Sequence, residues 1–572
     1  MGARALSYKT GTLIAAILGS CVVFLDSSVV TVALPRIGRE LPAHLFGVLE
    51  GQSYIYNGYL LAESALLILA GGLTDFYGRR RMFTAGVLGF GAASILSGLS
   101  STMEWLVAFR VLQGVAGAFI VPGSLALITA TFTGEEQGRA FGVWSGASAG
   151  LTILGPFVGG LLVDTVSWRA VFLINVPLIL GTLWMIHRCV RESREEAATE
   201  KFDVLGTVLS ALAVGGLAYG TISGQQRAWH GLEPFLALGV GGAAAVLLPI
   251  RMLRAAHPLV PPSLFRSRNF TITNLSTLVI YAAIAVIFYF SGLFMQGTLG
   301  YTAAAAGVAT VPAAIFMALF SARFGALGSR YGAHWFMTAG PLCMALGAAW
   351  LAHVSAQSTG WIMRPGDFTT FVPPAAYVTD FLPGFVLFGL GAMIMVAPLT
   401  ATVMASAPPE HAGVASAINT AISDVGPQLA VAVIFIAITA SFYTSLANQV
   451  RGLDISSPVV RQEVVPLNPV TSSKVPGSVQ RAARTASTEA YRFAMLISAA
   501  LLLMGAAING VGIVAPAAPK GQRVVSADPL WRKCRYVTPV WTHQLDRIKE
   551  RAQGKMTERS AGERDEPTTR RA

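Results

Sequence analysis

The sequence predicts an all-α integral membrane protein: two repeated bundles of six helices with two further spans inserted between them, fourteen spans in all. Three observations carry that prediction. The 572 residues are 53% hydrophobic and only 12% charged, with a mean hydropathy of +0.59, and this charge content is about half that of an ordinary soluble domain. Apolar runs of the length a helix needs to cross the hydrocarbon core, roughly 20 residues, recur along the chain, and only helices or closed barrels satisfy every backbone group there. The runs are continuous rather than alternating, which selects helices. Finally, a short glycine-rich signature near residue 71 returns in weakened form near residue 325.

In chain order, the apolar windows place spans at about 11–34, 49–70, 82–100, 104–131, 139–163, 169–187, 203–223, 232–251, 270–296, 303–324, 333–353, 382–406, 412–440 and 489–515. Arg4 and Lys9 ahead of the first run resemble a secretory signal, but the run is too long for one and contains Asp26, so it reads as a retained span. An even number of spans puts both termini on one side. Sixteen Lys and Arg then fall at the N-terminus and in the links of that side, against five on the short links opposite. The positive-inside rule therefore places both termini in the cytoplasm and the chain in the cytoplasmic (inner) membrane.

The resulting organisation is a cytoplasmic N-terminus (1–10), a first bundle (11–190), an inserted pair (203–252), a second bundle (270–515) and a basic cytoplasmic tail (516–572). The net charge of +12 is thus topological and predicts no nucleic-acid partner; 13 of the 41 Lys and Arg lie in the tail. The tail interleaves Trp531, Tyr536 and Trp541 with basic residues, which suits either attraction to anionic lipid or plain disorder. Long outer segments at about 354–381 and 441–488 read as connectors. Cys21, Cys189, Cys343 and Cys534 are scattered singly, so no disulfide, metal or cofactor is expected.

The repeat sets the two bundles in register. Gly71-x-Leu73-x-Asp75-x-x-Gly78 returns as Gly325-x-Leu327-x-Ser329-x-x-Gly332, and Gly155-Pro156 in span 5 returns as Gly426-Pro427 in span 13. Spans 1–6 match spans 9–14. Parallel six-span repeats about an axis along the membrane normal are an architecture of transporters that rock around a central site.

Within this frame the charged residues are the first candidates, because a charge inside the bilayer is costly and marks function by default. Asp26 and Arg110 lie at roughly 12 Å and 9 Å from the same face by helical rise, a shared depth at which they can pair, either for mechanism or for structure alone. Glu63 in span 2 and Asp424 in span 13 lie deeper, each reading as a proton acceptor, as a countercharge for a cationic substrate, or as a carboxylate held by neighbouring hydroxyls. Gln52, Tyr56, Tyr59 and Glu63 recur at helical spacing, a polar and aromatic face that suits a cavity wall, with Asn57 beside it; Tyr56 reads equally as an interfacial residue. Tyr281 and Phe288 belong to an aromatic stripe in span 9, open to reading as a wall for a flat ligand or as packing. Gly155, Pro156, Gly159 and Gly160 permit tight contact and a bend in span 5. Gly71, Asp75, Gly78, Arg79 and Arg80 form a glycine-hinged charged link in which the carboxylate faces a helix N-terminus or an arginine, a conformational latch or a turn with topogenic charge.

The link GGLTDFYGRRRMF resembles the loop signature of the major facilitator superfamily. Other signatures follow in order: Phe24-Leu25-Asp26 through Leu34-Pro35 in span 1, Arg110-x-x-Gln113-Gly114 in span 4, Gly155-Pro156-x-x-Gly159-Gly160 in span 5, then Trp168-Arg169-x-x-Phe172-x-x-Asn175-x-Pro177 and Phe202-Asp203-x-x-Gly206. Together they are similar to the fourteen-span drug:proton antiporter family. The resemblance implies the major facilitator fold, a proton-coupling role for Asp26 and Arg110, and an antiporter role for the span 5 glycines. Phe76, Leu151 and Asn57 depart from the family pattern, the last where some exporters of dicationic substrates carry an acid.

The function expected is proton-coupled export of amphipathic, drug-like molecules by a monomer, with the bilayer and protons as its other partners. Export of an endogenous lipid or metabolite, or a non-transporting membrane sensor, are the alternatives. No phosphate-binding loop, HExxH zinc pair or nucleophile elbow is present in the sequence, so an enzyme is not expected.

Overall fold

The computed structural model describes residues 8–45, 48–193, 203–226, 231–364, 367–450 and 475–514, with Trp229 and short stretches between 453 and 468. The first half comprises α1 (Tyr8–Glu40), α2 (Val48–Tyr77), α3 (Arg79–Gly98), the end-to-end pair α4 (Met103–Gly117) and α5 (Ile120–Thr131), α6 (Gly134–Thr165), α7 (Ala170–Leu173) and α8 (Asn175–Cys189). Next come α9 (Val204–Gln226), α10 (Glu233–Arg254) and the short α11 (Ser263–Arg266). The second half comprises α12 (Arg268–Leu293) with a π-helical turn at Phe294–Thr298, α13 (Ala303–Tyr331), α14 (Ala333–Leu351), α15 (Ala375–Asp380), α16 (Leu382–Ala405), α17 (Ala412–Gln449) and α18 (Gly477–Gly512). Among the described residues there is no strand, only an isolated bridge between Arg364 and Asp367.

Eleven helical segments among the described residues have both the length and the apolar character to cross a membrane. The windows expected at 82–100, 139–163 and 333–353 fall on α3, α6 and α14, which are 20, 32 and 19 residues long and stand outside the eleven. In α3 and α14 polar first turns dilute the apolarity: Arg79 to Arg81, and His334.

The halves meet through crossed pairs, α2 against α17 and α6 against α13. Both contacts are close enough to require glycine. A Cβ on Gly71 would stand 2.5 Å from the Gly413 carbonyl oxygen, and one on Gly138 would stand 2.4 Å from that of Gly325. Gly71 and Gly325 are equivalent positions of the repeated signature, so the same device operates twice.

The charged link is shorter than the sequence predicts. Gly71 and Asp75 lie within α2, and Gly78 alone separates α2 from α3, with φ of +108°. Gly332 alone separates α13 from α14, with φ of +96°. A residue without Cβ reaches the left-handed region at no steric cost, so one residue makes the turn.

The inserted pair is tied down at its start. Asp203 is buried; its Oδ1 accepts from the Gly206 N–H (3.0 Å) and from Arg251 Nη2 (2.8 Å), and its Oδ2 accepts from the Leu259 N–H (3.3 Å). Burial alone would raise this carboxyl, but those donors together hold it below its ordinary range. The Leu259 side chain then packs on α2, where a Cβ on Gly72 would lie 2.5 Å from Leu259 Cδ1.

The long segments expected as connectors do more than connect. Trp361, Met363, Val464 and Leu467 are buried; the Trp361 carbonyl accepts from the Thr302 N–H (3.1 Å), and the Leu467 N–H donates to Ser487 Oγ (3.2 Å). Hydrophobic side chains within a polar loop supply the docking. The tail 516–572 with Cys534, Phe202 of the span 7 signature, and the side chain of Pro156 lie outside the described residues.

Candidate functional site

α1 carries Asp26 and α4 carries Arg110 into the interior of the first half, where both are 0% exposed. Arg110 Nη1 donates to Asp26 Oδ2 (2.5 Å) and to Gln113 Oε1 (2.8 Å). Gln113 Nε2 and Asn175 Nδ2 each donate to Asp26 Oδ1 (both 2.9 Å), and Asn175 Nδ2 also reaches Ser94 Oγ (3.1 Å). Arg110 Nε donates to the Ile55 carbonyl (3.2 Å), and its guanidinium lies 4.1 Å from the centre of the Tyr59 ring. Thus α4 and α8 converge on a carboxylate of α1, with Ser94 of α3 behind Asn175. A buried pair of this kind depends on partners for its remaining lone pairs and protons; Gln113, Asn175 and Ile55 supply most of them, while Arg110 Nη2 makes no hydrogen bond among the described residues.

The pairing expected from shared depth is present. Gln113 and Asn175 complete it; the first sits one helical turn from Arg110, and the second is a polar residue at the start of α8. Tyr59, expected on a cavity wall, is instead fully buried beneath the Arg110 guanidinium, because an aromatic face attracts a desolvated cation.

Glu63 on α2 and Asp424 on α17 are each half-buried and lie near enough for their charges to repel. One comes from each half. Tyr281 on α12 is half-buried and within electrostatic reach of Asp424, as Tyr56 is of Arg110. Gln52 Nε2 donates to the Leu34 carbonyl (2.9 Å), joining α2 to α1, while Asn57 Nδ2 donates within its own helix to Ser53 Oγ (3.0 Å). Phe288 packs edge-on against Phe388 (5.2 Å between centroids) and parallel to Phe385. It belongs to an aromatic cluster between α12 and α16.

At the end of α2, Asp75 crosses between the halves. Its Oδ1 accepts from the Gly413 N–H and its Oδ2 from the Val414 N–H, both at 3.0 Å, so the carboxylate sits on the N-terminus of α17. Arg79 Nη2 donates to Asp75 (3.3 Å) and to the Pro409 carbonyl. Arg80 points elsewhere, toward a groove between α3 and α8. In the second half, Ser329 Oγ donates to the Gly325 carbonyl of its own helix (3.2 Å). Gly155 and Gly159 of α6 press on α1, where a Cβ would stand 1.9 Å from Ser28 Oγ and 2.9 Å from Val29 Cγ1; Gly160 lies looser, 3.9 Å from Val32.

Residues 16–431 match the family model described as Major Facilitator Superfamily. The chain is 34% identical over 424 residues to the tetracenomycin C resistance and export protein of Streptomyces glaucescens, covering 74% of each chain. It is 31% identical to the multidrug resistance protein Stp of Mycobacterium tuberculosis, again over 74% of each, and 31% identical to the puromycin resistance protein pur8 of Streptomyces alboniger, over 74% of this chain and 80% of that one. Among solved structures, the proton:xylose symporter XylE superposes with a TM-score of 0.53 at 14% identity, covering 87% of this chain and 94% of that one. The human organic anion transporter MFSD10 gives 0.54 at 11%, covering 86% and 99%. An all-helical multi-pass architecture, crossed contacts between two repeated halves and these matches lead to one assignment: the chain belongs to the major facilitator superfamily.

Proposed function

We propose that the chain is a fourteen-span drug:proton antiporter of the cytoplasmic membrane, with both termini cytoplasmic, exporting amphipathic drug-like molecules as a monomer. In this reading residues 11–190 and 270–515 rock around a central site while 203–252 form the inserted pair. The observation that carries it is that Glu63 and Asp424, one carboxylate from each half and both half-buried, lie within electrostatic reach of one another. Two like charges near one another cannot both ionise without cost, so a proton or a cationic group on the substrate relieves the pair. Competition between the two ligands is exchange. The resistance and export roles of the relatives support drug-like molecules as the other ligand.

Asp26 and Arg110 then act as the coupling element, their ion pair within the first half breaking in one state of the cycle and reforming in the other. Asp75 on the N-terminus of α17 serves as a latch that holds one arrangement of the halves. Gly155, Pro156, Gly159 and Gly160 provide the close α6 contact against which α1 moves, and Gln52, Tyr56, Asn57, Tyr281 and Phe288 border the substrate. One proton entering down 100 mV supplies about 2.3 kcal/mol, enough for roughly a fortyfold gradient of a neutral substrate at 1.4 kcal/mol per decade.

The test is reconstitution of the full chain in proteoliposomes with an imposed pH gradient, using puromycin and tetracenomycin C as probes. Uphill movement of a probe is expected to collapse with a protonophore, and Glu63→Gln is expected to lose uphill movement while retaining downhill flux. Transport indifferent to the proton gradient would overturn the coupling.

A further inference from the structure

On the face of α3 and α8 away from the second half lies a groove of about 690 Å³ that the transport cycle above does not use. Its lining is graded. One end holds Arg80, Arg81, His187 and Glu192; the other holds Leu88 and Leu183. Arg81 and Leu88 are seven residues apart on one helix, a rise of about 10 Å, so the groove passes from cationic to apolar over the depth of a lipid headgroup and its first methylenes. Leu88 is 54% exposed, and the apolar end continues onto Leu180 and Trp184 of α8, which are 61% and 56% exposed. This is the outward surface of a membrane-spanning helix pair.

The cationic end is already arranged for an anion. The backbone N–H groups of Arg80 and Arg81 open α3, and both donate to the Glu192 carboxylate (3.0 and 3.2 Å), while Arg81 Nε lies 3.7 Å from it. Glu192 is the one acidic residue among the described lining, against two arginines. The Arg80 side chain is half-buried and makes no hydrogen bond or ion pair among the described residues. A half-buried guanidinium left over after the helix terminus is satisfied has five donors in a fork suited to phosphate.

We propose that this groove binds an anionic phospholipid, its phosphate held by Arg80 and Arg81 and its acyl chain laid along Leu88 and Leu183. The charge gradient distinguishes it from a site for free phosphate, which would have no use for the apolar end. Because Arg79, the next residue of α3, reaches Asp75 and Pro409, an occupied groove sits one residue from the contact between the halves.

The proposal is tested by native mass spectrometry of the full chain released from nanodiscs of phosphatidylcholine with a minor fraction of phosphatidylglycerol. The wild type is expected to retain phosphatidylglycerol over phosphatidylcholine, and the double variant Arg80→Gln, Arg81→Gln to lose roughly thirtyfold of that preference, at about 1 kcal/mol per basic residue. Glu192→Gln removes the competing carboxylate and is expected to raise retention; it keeps the idea testable if the double variant fails to fold. Equal loss on Arg254→Gln with Arg266→Gln, arginines outside the groove, would reduce the effect to general surface charge and overturn the site. Displacement of the lipid by millimolar inorganic phosphate would overturn the lipid as its occupant.

Discussion

Asp26 is held by three side chains from two other helices, and its loss acts through what it leaves behind. Asp26→Asn strands the buried Arg110 charge, an effect worth about 3–5 kcal/mol, and should lower the unfolding temperature of the purified chain markedly. Replacing both partners, Asp26→Asn with Arg110→Gln, should recover most of that stability while proton-coupled transport stays absent. Thermal unfolding in detergent and the proteoliposome assay read the two outcomes separately; a double variant as unstable as the single would mean the cost lies in packing rather than charge. Asp26 and Arg110 were legible in the sequence because a charge inside an apolar run is conspicuous. Gln113 and Asn175 were visible only as members of family signatures, since a neutral amide in a span carries no comparable penalty to advertise its role. Tyr59 shows the opposite failure: helical spacing put it on the face of Glu63, but spacing says nothing about which helix covers that face.

Among the elements, the inserted pair depends on Asp203. The Asp-x-x-Gly spacing has a local cause, for Asp203 accepts from the N–H three residues on, and a Cβ at Gly206 would stand 2.3 Å from Asp203 Oδ2. Arg251 and Leu259 come from distant sequence and gave no signal. Because the folded carboxyl sits below its ordinary range, its stabilisation is full above the unfolded value of about 3.9 and is lost as pH falls through the folded value. Asp203→Asn should therefore cost about 2 kcal/mol at neutral pH, from hydrogen bonds to a charged group, and the difference from wild type should shrink toward zero on acidification. A difference that persists unchanged at pH 2 would show that the amide fails for shape rather than charge. The long connecting segments also exceeded what sequence showed, since a buried Leu467 inside a polar loop reads locally as one apolar residue among many.

For the whole molecule, the repeat was the most legible feature; eleven helical segments among the described residues are long and apolar enough to cross a membrane, against fourteen expected. The two halves are nevertheless unequal where they cross. Asp75 reaches the N-terminus of α17, whereas Ser329 at the equivalent place bonds within its own helix. If Asp75 is the latch, Asp75→Asn should slow transport at least tenfold while changing probe binding less than twofold, read by flux and by equilibrium binding on the same preparation. A comparable loss of binding would count against the latch.

The packing of Leu259 against Gly72 couples α9 and α10 to the same junction, since Leu259 occupies room that Gly72 leaves empty, and a Cβ on Gly72 would also come within 3.9 Å of Val414 Cγ2 on α17. Its consequence is genealogical. Helices α9 and α10 are not a cassette that can be exchanged freely between relatives, because positions 72 and 259 share one fixed volume. Lineages that carry the pair should keep the first small while the second is large, and a chimera that takes the pair without its matching residue on α2 should misassemble at that seam.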